Sequence, residues 1–260
     1  MTDAERQSLD DRGYVVLERL LDNDTLERLR GRTEELYDLE GAQGGSEFLT
    51  EPGSRRLANL VDKGSVYEEM IAHPRVLKLV EHVLGPRFKL SSLNARSANA
   101  HSEEAQPLHC DAGALPDEHG FWVCNTIWCL DAFTGTNGPT RVIPGSQRWG
   151  RLPQDVLDNP KARHAEEVCL TAPAGSVIVM NTHAWHGGTA NRSGSPRSAL
   201  HAFYCRFDKP QQQYQKRLLR PETQAHLSRQ VRAILALDDP LNDELSSAGA
   251  GKSGFMKAPA

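Results

Sequence analysis

Two kinds of hydrophobic spacing divide the chain. Up to about residue 87 the apolar positions recur mostly at helical intervals, and from Phe88 they come in short dense runs separated by turn residues. Residues 2–12 read as a short polar helix. Gly13-Tyr14-Val15-Val16-Leu17 is β-branched and aromatic, the composition of a strand. Asp22 is a good N-cap for a helix that places Leu26, Leu29, Thr33 and Leu36 at helical spacing. Residues 41–55 are rich in Gly and Ser and read as a loop. A further helical pattern covers 66–84, with Met70 and Ile71 first, then Val76, Leu79, Val80, Val83 and Leu84. Pro74 either interrupts it or opens a second segment, and Gly85-Pro86 ends it. These stripes are core rather than a cofactor-binding face.

Beyond this point the spacing predicts strands over 88–93, 121–130, 140–143, 167–170, 176–180 and 198–207. Thr136-Asn137-Gly138-Pro139, Pro144-Gly145-Ser146, Pro173-Ala174-Gly175 and Ser193-Gly194-Ser195-Pro196 are the turns between them. Short strands after an α-rich start indicate a mainly β fold, a jelly roll with helices packed on one side. The irregular stretches 97–120 and 144–166 are long enough to be binding loops, so both are expected to border a pocket. Residues 221–237 read as one helix with Leu227, Val231, Ile234 and Leu235 on its apolar face. Residues 246–260, rich in Ala, Gly, Ser and Lys, read as a flexible tail unless Phe255-Met256 docks it. No repeat is evident. The expected organisation is one domain over 1–260: helical support in 1–87, the jelly-roll core in 88–210, a C-terminal helix in 211–245 and the tail.

Composition narrows the function classes. The chain has 260 residues, 38% of them hydrophobic, and a net charge of −4, so no general affinity for nucleic acid is expected. No apolar run approaches the roughly 18 residues of a membrane span. The opening Met1-Thr2-Asp3-Ala4-Glu5-Arg6 is acidic and polar, unlike a secretory signal. Five cysteines (Cys110, Cys124, Cys129, Cys169, Cys205) with no Cys-x-x-Cys pair argue for a reducing, cytoplasmic setting. Oligomeric state is not legible.

The candidate chemistry lies in Gln106-Pro107-Leu108-His109-Cys110-Asp111 and in Trp185-His186-Gly187-Gly188, with Arg197 eleven residues after His186. On a strand, residues two apart share a face, so His109 and Asp111 present an imidazole and a carboxylate side by side. Cys110 points the other way and packs. With His186 from elsewhere in the chain, two histidines and one carboxylate occupy one face of an octahedral metal. The opposite face stays open for a co-substrate and O2, the arrangement of non-haem iron(II) oxygenases. Arg197 would hold an acidic co-substrate beside the metal. Taken singly, His109 reads as well as a loop histidine, and His186 as a core histidine satisfied by a carbonyl; the ordered set points to a metal.

With these residues in view, the chain resembles the phytanoyl-CoA dioxygenase-like family of iron(II)/2-oxoglutarate-dependent oxygenases. The resemblance runs from Gly13-Tyr14-Val15-Val16-Leu17 through Gln106-x-x-His109-x-Asp111 and Trp128-Cys129-Leu130-Asp131. It continues over Asn137-Gly138-Pro139-Thr140-Arg141-Val142-Ile143-Pro144-Gly145-Ser146 to His186-Gly187-Gly188-Thr189-Ala190-Asn191 and Arg197. The family usually has a histidine after that serine; here it is Gln147, outside the metal site. The resemblance implies a double-stranded β-helix core with iron(II), 2-oxoglutarate and O2 as cofactor and co-substrates. It implies oxidation of a small-molecule metabolite, usually hydroxylation, with release of succinate and CO2. His109, Asp111 and His186 would be the iron ligands. Arg197, a planar cation, would pair with the distal carboxylate of 2-oxoglutarate. Gln106 would hydrogen-bond its iron-proximal carboxylate, and Thr189 or Ser198 would add a hydroxyl to the distal one. Because Asp111 is present, the chloride-binding site of the related halogenases is not expected.

Other residues stay open on sequence. His183 is a rival to His186, which the Gly-Gly sequence and the interval to Arg197 favour. Arg192 reads as a loop residue. Arg141 contacts a substrate anion or forms a structural salt bridge. His201, in phase with Arg197, lines the pocket or is a core histidine, and Trp122 and Trp128 wall the cavity or fill the core. The substrate is expected to be a small metabolite rather than phytanoyl-CoA, since no basic cluster for the CoA phosphates is seen. Two other readings are a cupin-like zinc or manganese enzyme without redox chemistry and a non-catalytic jelly-roll binding protein. Gln106 and Arg197 argue against the first, and the intact ligand set against the second.

Overall fold

The computed structural model describes residues 1–249. Helix α1 (Asp3–Arg12) is closed at its start by a reciprocal Thr2–Glu5 capping box and at its end by Gly13 in the left-handed region (φ 81°). Strand β1 (Tyr14–Leu17) follows, then α2 (Asn23–Glu40), capped by the Asp22 side chain on the Thr25 N–H. Strand β2 (Ser54–Leu57) leads to α3 (Ser65–Ile71) and α4 (Pro74–Leu84). Pro74 is the first residue of α4, where its missing N–H has no helical acceptor to lose; it opens a helix rather than kinking one.

The β region comprises β3 (Phe88–Ala98), β4 (Val123–Cys129), β5 (Thr140–Val142), β6 (Val168–Cys169), β7 (Val177–Met180), β8 (His186–Gly188) and β9 (Arg197–Arg206). Two antiparallel sheets result, one in the order β1-β7-β4-β9-β3-β2 and a smaller one in the order β6-β5-β8. This is the double-stranded β-helix with flanking helices.

Strand parity divides the large sheet between two jobs. Cys124, Trp128, Val179, Leu200, Ala202 and Tyr204 point to one face and pack with Leu29, Tyr67, Ile71, Leu79 and Val80 of the helices. Burying each large apolar side chain contributes about 1.5–3 kcal/mol, so this layer fixes the sheet rigidly. The alternate residues Ile127, Cys129, Ile178, Met180 and Ala199 face the small sheet, against Val142 and Leu170. Polar residues on this inner face therefore open onto the space between the sheets.

Several sequence expectations change. Strand β2 forms within the expected 41–55 loop and beyond it; its Ser-Arg-Arg-Leu run lacks strand character and exists by pairing with the far half of β3. Strand β3 runs five residues past 93, where Asn94 and Arg96 interrupt the apolar pattern. Strand β8 is His-Gly-Gly, held by register with β5. The expected helix over 221–237 is two helices, α6 (Pro221–His226) and α7 (Arg229–Ile234), broken at Leu227, with Ser228 capping the second. They lie between α5 (Gln215–Leu218) and α8 (Pro240–Gly249). Residues 246–249 of the expected tail belong to α8, where Ser246 is buried against Asn242 and Gln211. The Phe255-Met256 docking lies outside the described residues.

Candidate metal centre

His109 and Asp111 are not on a regular strand. His109 forms an isolated antiparallel bridge with His186, each N–H donating to the other's carbonyl at 2.9 and 3.0 Å. Cys110 is extended (φ −100°, ψ 138°), and Asp111 then opens a 3-10 turn, its N–H held by the Thr182 carbonyl at 3.0 Å. Extended backbone at Cys110 is enough to turn the side chains of His109 and Asp111 to the same side. Cys110 turns away into an apolar cluster with Leu108, Ile143 and Trp185, donating its S–H to the His183 carbonyl. The glycines after His186 are required by proximity. A Cβ on Gly187 would stand 2.8 Å from the Pro107 oxygen, and one on Gly188 3.0 Å from Gln106 Oε1. A larger residue would push the His109 segment off β8.

His109 Nε2 lies 3.7 Å and His186 Nε2 3.5 Å from Asp111 Oδ1, and one donor atom from each residue falls within 4.8 Å of the others. Each ring is oriented from behind: His109 Nδ1 bonds the Pro107 carbonyl at 2.9 Å, and His186 Nδ1 the Ala184 carbonyl at 3.0 Å. A proton on Nδ1 leaves Nε2 as the free lone pair, the form a metal needs. Asn125 Nδ2 donates to Asp111 Oδ2 at 3.1 Å, so Oδ1 remains for the centre. Burial works to raise the Asp111 carboxyl, but the His186 imidazole and hydrogen bonds from both histidines hold it well below the usual carboxylate range. Burial works to lower His186, and Asp111 beside it raises it above the ordinary imidazole value. Two imidazole nitrogens and one carboxylate oxygen, pre-oriented on one side of a common point, fit a divalent iron site with an open face.

The ligands border a cavity of about 230 Å³ between the sheets, the liquid volume of roughly eight waters. The 97–120 stretch supplies Gln106, His109 and Asp111 to its wall, as expected of a binding loop. The 144–166 stretch lies behind the wall instead, where Pro160 accepts from the Leu108 N–H.

The remaining sequence candidates distribute unevenly. Gln106 lines the cavity, but its Oε1 accepts from the Gly188 N–H at 2.8 Å and its Nε2 leans on Glu51 at 3.4 Å. His201 lines the cavity in phase with Phe203, its Nε2 shut from solvent and without a partner among the described residues. Burial and three guanidiniums (Arg56, Arg197, Arg96) keep this ring neutral, far below the usual imidazole value. Arg197 shares that strand face but stands behind the wall, donating to the Gly138 carbonyl and lying 4.2 Å over the Phe133 ring. Burial, helped by Arg96, brings it down to about 10.

Besides Arg197, four candidates do not line the cavity. Ser198 follows Arg197 on a strand and so faces the opposite side. Thr189 Oγ1 is engaged by the Pro139 carbonyl. Trp122 packs outside, its indole N–H on the Leu115 carbonyl. Arg141 is the structural clamp of its two readings, bonding Glu167 and the carbonyls of Gln106, Pro160, Lys161 and Ala162. Trp128 is helix-side core. The rival His183 is buried against Asn181, Phe121 and Trp122, and burial pushes its pKa down to about 3. Arg192 is exposed and pairs with Glu103. Gln147, the departure noted above, ties α1 down through the Asp10 carbonyl.

Sequence reading missed Asn125, Arg56, Arg96 and Gln212, all on the cavity wall. For Asn125 a signal existed: a polar residue in phase with Ile127 inside a predicted strand. For Arg56 and Arg96 it did not, because their placement depends on the β2–β3 register.

A two-sheet β-helix carrying a His-Asp-His centre between its sheets defines the class of cupin-like metal oxygenases. Comparison makes this specific. The family profile described as Phytanoyl-CoA dioxygenase (PhyH) matches residues 9–199, and the chain belongs to that family. Dioxygenase af480 of Aspergillus fumigatus is 29% identical over 245 residues, covering 91% of this chain and 77% of that protein. L-proline trans-4-hydroxylase of Streptomyces griseoviridis is 25% identical over 225 residues, covering 75% and 82%. Among solved structures, EctD from S. alaskensis with 2-oxoglutarate and 5-hydroxyectoine superposes with a TM-score of 0.66 at 22% identity, over 79% of this chain and 76% of that one.

Proposed function

We propose that this protein is an iron(II)- and 2-oxoglutarate-dependent dioxygenase that oxidises a small-molecule metabolite, with hydroxylation as the default outcome. The reaction consumes substrate, 2-oxoglutarate and O2 and yields oxidised substrate, succinate and CO2. The observation that carries this reading is the convergence of His109 Nε2, Asp111 Oδ1 and His186 Nε2 on one point with every outer atom already held. Iron(II) bound there supplies 2-oxoglutarate chelation and O2 activation on its open face.

The chain's own groups do the rest. The carbonyls of Pro107 and Ala184 fix the imidazole tautomers. Arg197 receives the distal carboxylate of 2-oxoglutarate. Its present contacts are a carbonyl and an aromatic face, and its buried Nε has no hydrogen-bond partner among the described residues, so the guanidinium retains a donor for a ligand. His201, neutral and unpartnered beside it, offers a hydrogen bond without adding charge. From the 44–53 segment, Phe48 and Leu49 lie on the cavity side.

Relatives named for L-proline and ectoine favour a small substrate. All five cysteines are free, and no helix among the described residues is long and apolar enough to cross a membrane; we read the setting as cytoplasmic. The deciding experiment is anaerobic titration of the purified protein with iron(II) and 2-oxoglutarate. A visible charge-transfer band requiring both components is expected. Bound metal without the band favours a redox-inactive cupin, and no metal binding favours a non-catalytic module.

A further inference from the structure

The cavity has a second polar pole, made of residues with no role above. Arg96 donates Nε to Glu51 Oε1 at 2.6 Å, and Arg56 donates Nη1 to Glu51 Oε2 at 3.1 Å. Both guanidiniums line the cavity that holds His109, Asp111 and His186, and both are largely buried, with side chains 8% and 12% exposed for Arg96 and Arg56. One carboxylate is therefore shared between two cations. Next to them the wall carries Ser92, Asn94 and Gln212, linked by Ser92 Oγ donating to Gln212 Oε1 at 2.8 Å and Asn94 Nδ2 donating to Ser92 Oγ at 3.3 Å.

Charge counting identifies what is missing. Iron(II) with Asp111 leaves one positive charge, which the chelating carboxylate of 2-oxoglutarate neutralises. Arg197 neutralises the distal carboxylate. Arg56 and Arg96 against Glu51 leave one positive charge facing the cavity. A buried cation without a counter-charge is costly. The strain shows at Arg56, whose pKa is lowered by burial and by Arg96, with Glu51 opposing.

We propose that Arg56 and Arg96 form the subsite for a carboxylate of the primary substrate, so that this enzyme oxidises a small organic acid. The inference rests on the dioxygenase reading and names its substrate class. Arg56 comes from β2 and Arg96 from β3, a directly paired position in the sheet, so the two forks are held on one rigid platform. Glu51 keeps them in place, and the Ser92–Asn94–Gln212 group accepts polar substituents of the acid. Phe48 and Leu49 cover its apolar part, on the same segment as Glu51.

The test uses manganese(II)-loaded protein saturated with 2-oxoglutarate under anaerobic conditions, with butyrate and butyramide as probes. Paramagnetic relaxation of the probe protons reports binding near the metal. Butyrate is expected to relax strongly and butyramide weakly. Arg56→Gln should weaken butyrate roughly tenfold, to the amide level, since a charge-assisted hydrogen bond is lost. Arg56→Lys, which keeps the charge and loses the fork, should keep part of the preference. It serves as the folded control if Arg56→Gln melts early. Equal relaxation by acid and amide, or none by either, overturns the proposal. So does butyrate that relaxes only when 2-oxoglutarate is left out, or an Arg56→Gln protein whose affinity for 2-oxoglutarate falls, because either result makes the pair a co-substrate clamp. The charge-transfer band of wild-type protein loaded instead with iron(II) and 2-oxoglutarate judges the dioxygenase reading separately: its absence sinks that reading, whereas its presence with indifferent probes sinks only the acid subsite.

Discussion

Asn125 Nδ2 donates to Asp111 Oδ2 at 3.1 Å from the inner face of β4, while Asp111 Oδ1 faces both imidazoles. An unrestrained carboxylate presents either oxygen and rotates; this amide selects one. Partners of this kind change metal affinity by about 10–100-fold when removed. Asn125→Ala should therefore weaken iron(II) binding by at least about tenfold, with 2-oxoglutarate affinity at saturating iron little changed. Metal titration followed by the charge-transfer band checks both. Wild-type iron affinity in Asn125→Ala would show that packing alone orients Asp111.

The ligands themselves are expected to be far less tolerant. His109→Ala, Asp111→Ala and His186→Ala should each abolish the band and succinate release, because each removes one of three donors. Cys110→Ser, between two of them but packed away from the centre, should keep both. A His109→Ala or Asp111→Ala protein with full iron affinity and turnover would discredit the ligand set.

The His186–Asp111 contact makes the metal-free and metal-bound forms respond differently to pH. The folded pKa of His186 is raised, so its contribution to stability is complete below the unfolded value near 6.5 and is lost as pH rises through the folded one. That of Asp111 is depressed, so its contribution is present above the unfolded value and is lost as pH falls through the folded one. Metal needs His186 neutral and competes with its proton. As pH rises above the unfolded value near 6.5, the melting temperature of chelator-treated protein should therefore fall through this pair, while the increase on adding iron(II) grows. Differential scanning calorimetry of both forms measures this. Parallel slopes would mean that His186 does not titrate with the centre.

Arg197→Ala should raise the 2-oxoglutarate concentration needed for half-maximal band intensity by far more than it changes iron affinity. A charged hydrogen bond contributes about 1.5–3 kcal/mol, or roughly ten- to a hundredfold. The side chain must first exchange the Gly138 carbonyl for the ligand. Equal loss of iron and 2-oxoglutarate affinity, or no loss of either, would assign Arg197 a structural role on Phe133 instead.

How much of this was legible in the sequence depended on the range over which each inference acts. His109, Cys110 and Asp111 were readable because alternation is local: a β-bridge at His109 and extended backbone at Cys110 place the two ligands together without a full strand. Alternation alone also separates Ser198 from Arg197, a local rule that the sequence reading did not apply. Arg56 and Arg96 were not readable: their meeting requires β2 to pair with the second half of β3, and neither segment has strong strand character. The C-terminal helices were misjudged for the converse reason. The apolar spacing of Leu227, Val231, Ile234 and Leu235 is real, but Leu227 is extended and Ser228 restarts the helix.

Arg141 tests the difference between a residue near the site and one in it. Sequence left it as a substrate contact or a salt bridge, and the structure wraps it in protein. It is 3% exposed, with Nη1 on Glu167 Oε2 at 3.0 Å and on the Ala162 carbonyl at 2.9 Å, and Nη2 on the Gln106 and Pro160 carbonyls at 3.0 Å. These bonds tie the 160–167 segment to the stretch that carries His109. Removing one member of a buried ion pair leaves the other charge stranded and costs about 3–5 kcal/mol. Arg141→Ala should therefore lower the melting temperature by on the order of 10 °C for a chain of this size. Its affinity for 2-oxoglutarate, measured well below that temperature, should stay close to wild type. An unchanged melting temperature with a raised KM for the primary substrate would restore the substrate-anion role and move Arg141 back to the cavity.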